Sequence, residues 1–164
     1  MLSCVREGLP QLIKGEAQIW TPMAETSPAE GLVQGRNLLL ATDGKPHSEK
    51  AIQYAIEMAR LTASKLFILY VVSPKNEAEK KDLIKEGMSK LNDLKSLAAD
   101  SGVEATTLLE GGSPYQTITT TADRIKAGAI VVGTSGKSAL DRVLIGSVSE
   151  YVVRNSGCTV IVVK

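Results

Sequence analysis

Residues 133–150 read GTSGKSALDRVLIGSVSE, and their glycines and serines are of types that can hold phosphate. Gly136-Lys137-Ser138 imitates the tail of a P-loop, G-x-x-x-x-G-K-[S/T], in which one wide turn wraps phosphate in backbone N–H groups. The glycine that should open such a loop belongs at position 131, where the chain has Val131. What remains is Gly133, two residues, Gly136, nine residues, then Gly146-Ser147. Glycine lets a polyphosphate approach bare backbone. Ser147-Val148-Ser149-Glu150 follows the S-x-x-E pattern of a capping box, a sign of a helix start. A helix start offers unpaired N–H groups and the positive end of the helix dipole. Taken singly, each piece is an ordinary turn or cap. Taken together, a strand-end turn and a helix N-terminus form two backbone cradles that can meet around a polyphosphate.

The elements that would position these cradles follow from the apolar pattern. Asn37–Thr42, NLLLAT, is an unbroken apolar run, as expected of a strand covered on both faces, and it ends in the turn signal Asp43-Gly44. Ser48 then reads as an N-cap, with Ile52, Ala55, Ile56 and Ala59 on one helical face. Lys65–Val72, KLFILYVV, is the second strand. The charged stretch beyond Pro74 keeps helical spacing through Ile84, Met88, Leu91, Leu94 and Ala98, and its charges around Lys80 read as a solvated face. Val103–Leu109 is the third strand. Ser113-Pro114 with Gln116 is a capping-box pattern opening a helix whose buried stripe is Ile118, Ala122 and Ile125, with Gly128 as its stop. Ala129–Val132 is the fourth strand, Ser147–Asn155 a last helix and Cys158–Val163 the fifth strand. Strands alternating with helices predict an α/β fold, a doubly wound parallel sheet with helices on both faces. Such folds bind ligands beyond the carboxyl ends of strands where the strand order reverses, here at the loops after the first and fourth strands.

At 164 residues and 17.4 kDa the chain fits one domain with a real core. A net charge of +1 gives no general attraction to nucleic acid or a membrane surface, so an anion site must be local. No apolar run reaches a membrane span, and the first residues lack the apolar region of a secretory signal. Two distant cysteines, Cys4 and Cys158, match no metal spacing and suit a reducing cytoplasm. Residues 1–35 stand outside the repeat and read as an extension, weakly structured or contributing one extra edge strand at Gln18–Thr21. Residues 36–164 form the domain.

The motif GTSGKSALDRVLIGS, G-x2-G-x9-G-S, resembles the ATP-binding signature of the universal stress protein (UspA-like) family. The resemblance runs from NLLLATDG through EGGSPYQTI to CTVIVVK and covers every predicted strand. It implies strand order 3-2-1-4-5, the adenine nucleotide alpha-hydrolase-like arrangement, and a dimer. Members with these glycines bind ATP. Carried over by position, Asp43 matches an aspartate near ribose and phosphates and is the candidate for indirect Mg²⁺ contact. Ala41 takes the small position before it, and Val71 matches the strand-two residue whose backbone meets adenine. Gly133 and Gly136 line the ribose–phosphate side; Gly146, Ser147, Val148 and Ser149 face the phosphates, with Ser147 and Ser149 as hydroxyl donors. Ser135 stands where the family often has His or Arg.

The leading expectation is therefore an ATP-binding regulator of the stress response, free of nucleic acid and membrane, acting as a homodimer through residues 158–163. A slow ATPase or adenylate-transferring enzyme is the alternative, weakened by the lack of an arginine finger or of a general base beside a nucleophile. His47 reads as an exposed loop residue and Lys137 as a surface lysine. A nucleotide-free dimeric interaction module is the third reading. A dinucleotide-dependent oxidoreductase would need G-x-G-x-x-G after the first strand, where the chain has ATDGKPHS.

Overall fold

Leu38, Leu39 and Leu40 are all fully buried, which three successive strand residues achieve only in the middle of a sheet covered on both faces. The computed structural model describes residues 17–20, 36–134 and 145–164. In chain order the elements are β1 (Ala17–Trp20), β2 (Asn37–Ala41), a 3₁₀ turn (Pro46–Ser48), α1 (Glu49–Thr62), β3 (Leu66–Val72), α2 (Glu77–Asp100), β4 (Ala105–Gly111), α3 (Pro114–Arg124), β5 (Ala127–Gly133), α4 (Ser147–Asn155) and β6 (Thr159–Val163). The sheet order is β1-β6-β5-β2-β3-β4. Strands β2 to β6 are mutually parallel, in the expected 3-2-1-4-5 order. β1 joins antiparallel to β6.

Alternation along each strand divides the apolar residues between two cores. Leu38, Leu40, Ile68, Tyr70, Val131 and Ile161 pack with Ala51, Ala55 and Ala59 of α1 and Leu91 and Ala98 of α2. Leu39, Leu69, Ile130, Val132 and Val160 pack with Ile118 and Ala122 of α3 and Val152 of α4. Each fully buried leucine contributes roughly 1.5–3 kcal/mol relative to an exposed one.

Three local expectations are corrected. Met88 is 55% exposed, whereas Ile84, Leu91, Leu94 and Ala98 pack inward as expected and Gly87 joins them on the contact line of α2. A Cβ at Gly87 would stand 2.7 Å from Leu109 Cδ1 and 3.0 Å from Tyr70 Cδ1, so the bare position lets the helix lie close on β3 and β4. Gly128 does not stop α3. The helix ends at Arg124, the left-handed turn residue is Lys126 (φ 52°), and Gly128 belongs to β5. Ser113 occupies the N-cap of α3 with Pro114 behind it, but makes no side-chain cap bond.

Candidate functional site

β2 neighbours β3 on one side and β5 on the other, so the connections diverge at the carboxyl ends of β2 and β5. An open cleft of about 260 Å³ lies there. Its floor is apolar: Leu69 and Val71 from β3, Val132 from β5, Pro114 and Ile118 from α3. Its rim is polar: Thr42, Asp43, His47 and Ser48 on one side, Gly133 and the start of α4 on the other. Of the residues expected from the sequence, Ala41, Asp43, Val71, Gly133, Gly146, Ser147, Val148 and Ser149 all line this cleft. Ser135, Gly136 and Lys137 lie outside the described residues.

A chain of hydroxyls shapes the first rim. Thr42 Oγ1 donates to Ser48 Oγ (2.9 Å), Ser48 Oγ donates to the Lys45 carbonyl (2.8 Å), and the Gly44 N–H donates to Thr42 Oγ1 (3.0 Å). Both Thr42 and Ser48 are buried, so these bonds replace lost hydration. Gly44 turns at φ 66°, a conformation glycine takes without strain. The loop so folded holds Asp43 outward. Asp43 Oδ1 accepts from the Lys45 N–H (3.2 Å), while Oδ2 lies 3.3 Å from His47 Nε2 and 3.6 Å from Lys45 Nζ. His47 is exposed, as its loop position suggested, and it stands on the cleft wall beside Asp43.

The second rim is built differently from the capping-box expectation. Gly146 (φ −60°, ψ 152°) is the N-cap of α4 and Ser147 is the first helical residue, so Ser147 makes no cap bond. Glu150 pairs with Arg154 at 3.0 Å instead of reaching back. Ser147 Oγ is 3.2 Å from the Tyr115 hydroxyl, and the Tyr115 ring meets Tyr151 edge-on at 5.6 Å. Ser149, expected as a hydroxyl donor to phosphate, lines the cleft with its hydroxyl turned to the protein. The residue is 4% exposed, and its hydroxyl donates to the Gly133 carbonyl at 2.8 Å, tying the start of α4 to the end of β5. What this rim presents is backbone. The first-turn N–H groups at Ser147, Val148 and Ser149 precede the Glu150 N–H to Gly146 carbonyl bond (2.8 Å) and have no acceptor within the helix.

Thr42, His47, Ser48, Leu69, Pro114, Ile118 and Val132 were not singled out as site residues from sequence. Leu69, Ile118 and Val132 carried the only available signal, since each lies on a core-facing position near the cleft end of its element. A Cβ at Gly133 would meet Ala51 Cβ and Ser48 Cα at 3.6 Å, an ordinary contact, so packing among the described residues does not require glycine there.

A parallel sheet in this order, with a cleft where the connections diverge and a helix N-terminus facing a strand end, defines an α/β domain of the adenine nucleotide alpha-hydrolase-like class. The chain belongs to the universal stress protein family, whose profile matches residues 35–164. It is 34% identical over 139 residues to universal stress protein MJ0531 of Methanocaldococcus jannaschii, covering 79% of this chain and 82% of that one. A universal stress protein structure in complex with cAMP superposes with a TM-score of 0.66 at 26% identity, covering 79% of this chain and 97% of that one. The universal stress protein from Archaeoglobus fulgidus in complex with dAMP gives 0.64 at 26% identity, covering 79% and 98%.

Proposed function

We propose that the cleft binds an adenine nucleotide, with ATP as its occupant, and that occupancy makes the protein a regulator of the stress response in which two copies pair through residues 158–163. The observation that carries the reading is the first turn of α4, which turns backbone donors and the positive end of the helix dipole toward a cleft whose floor is apolar. An anionic group at one end and a flat apolar group on the floor are the two halves of a nucleotide. Relatives crystallised with cAMP and dAMP support the adenine assignment.

The rims suit phosphate better than a bare cation. Among the described residues no three His, Cys, Asp or Glu side chains converge on one point, and the Asp43 carboxylate is already shared between Lys45 and His47. Mg²⁺ is expected to travel with the triphosphate, meeting Asp43 through water. Calorimetric titration of the full chain with ATP, AMP and cAMP tests the proposal. One site per chain, tightest for ATP, is the expected result. Absence of heat and of any thermal shift with all three nucleotides would overturn it.

A further inference from the structure

We propose that β1 guards the edge of β6, and that displacing it frees that edge to pair with the β6 of a second copy of this chain. The inference rests on the pairing through residues 158–163 proposed above and is independent of what the cleft binds.

β6 is paired on both sides. One edge meets β5, from Ala129↔Thr159 to Gly133↔Val163. The other meets β1, through Ala17↔Val163, Gln18↔Val162, Ile19↔Ile161 and Trp20↔Val160. Two copies related by a two-fold axis would bring β6 against β6 antiparallel, the direction in which β1 already runs. The partner strand and β1 therefore need the same row of N–H and C=O groups on residues 160–163, and only one can occupy it. Without either, β6 would present an unpaired edge next to the buried residues Val160, Ile161 and Val162, the kind of edge that recruits another strand.

β1 has one strand neighbour and four register pairs, and is tied to β2 through residues 21–35. That covalent tie gives it an effective concentration on the order of millimolar, which outcompetes a dilute second copy as long as β1 can form. The domain is expected to fold without β1. The family match begins at residue 35, and 79% of this chain accounts for 97% of the cAMP-complexed relative.

The test compares the full chain with two altered forms, by sedimentation velocity over a wide concentration range and by amide exchange at residues 160–163. One form carries Gln18→Pro with Ile19→Pro. Successive strand N–H groups point to opposite sides, so one of the two prolines removes a donor facing β6. The other form is residues 23–164, which keeps the comparison valid if the prolines disturb more than β1. The full chain is expected to pair only at concentrations well above those at which the altered forms pair, with residues 160–163 protected by β1 in the dilute monomer. Both altered forms are expected to double in mass as concentration rises, with protection of those amides following the dimer. Altered forms that stay folded and monomeric throughout would overturn the guard together with the pairing reading. A full-chain dimer indifferent to both alterations would leave pairing standing and overturn the guard alone. A full-chain dimer that the prolines dissolve would overturn it by making β1 itself the interface.

Discussion

The side-chain hydroxyls around the cleft are largely engaged with the protein itself. Thr42 donates to Ser48, Ser48 to the Lys45 carbonyl, and Ser149 to the Gly133 carbonyl, while Ser147 lies against the Tyr115 hydroxyl. Serines that look like ligands in sequence thus act mainly as struts, and in the proposed complex the phosphates would meet backbone N–H groups. Ser147→Pro separates the two roles. Gly146 already has the extended conformation that a following proline demands, and proline suits the first helical position, so the variant should fold with stability within about 0.5 kcal/mol of the parent. It removes one N–H as well as the hydroxyl, whereas Ser147→Ala removes the hydroxyl alone. A charge-assisted bond of about 1.5–3 kcal/mol corresponds to roughly a tenfold to hundredfold loss of ATP affinity in Ser147→Pro, with Ser147→Ala close to the parent. Equal affinities of the two variants in calorimetry would remove the backbone from the mechanism.

Among the elements, α2 shows how a helix is set at its distance by one missing side chain. Its apolar stripe is weak, and most of the helix is charged and solvated, with Lys80 paired to Glu77 at 3.2 Å. Close approach at Gly87 brings the helix onto the Tyr70 ring and Leu109, and Leu91 and Ala98 then reach the core. Gly87→Val would add branched volume against Tyr70, which is 7% exposed and cannot yield easily. Overpacking of this kind costs about 1–3 kcal/mol, so the urea midpoint should fall. An unchanged midpoint would show that α2 can lift away freely. The same glycine explains why Met88, one residue on, stands in solvent although it obeys the helical period in sequence. The boundaries of α4, by contrast, were legible to the residue, because Gly146-Ser147 and Ser156-Gly157 bracket an amphipathic run.

For the whole molecule, stability should decline in alkali through a group far from the cleft. Burial, and then the nearby Asp123 carboxylate, push the Cys158 thiol from 9.0 up to about 11. The folded chain keeps a proton that the unfolded chain releases near pH 9, so this contribution is complete below that pH and is lost as pH rises toward about 11. Tyr70, raised by burial and by Glu86 and Asp43, acts in the same direction at higher pH. Urea midpoints should therefore fall between neutral pH and about pH 11, and less steeply in Cys158→Ala; identical slopes would refute the assignment. The sequence by itself determined the parallel strands, the helices between them and the end of the sheet where a ligand would lie. Continuous apolar runs can be buried only inside a covered sheet, and turn chemistry marks their ends. The apolar floor, the place of His47 beside Asp43, and the engagement of Ser149 were decided by tertiary structure alone, because they join elements far apart in the chain. So was the second partner of β6. The sequence offers Gln18–Thr21 as one extra edge strand without saying which edge it would join, and only the assembled sheet sets it against β6.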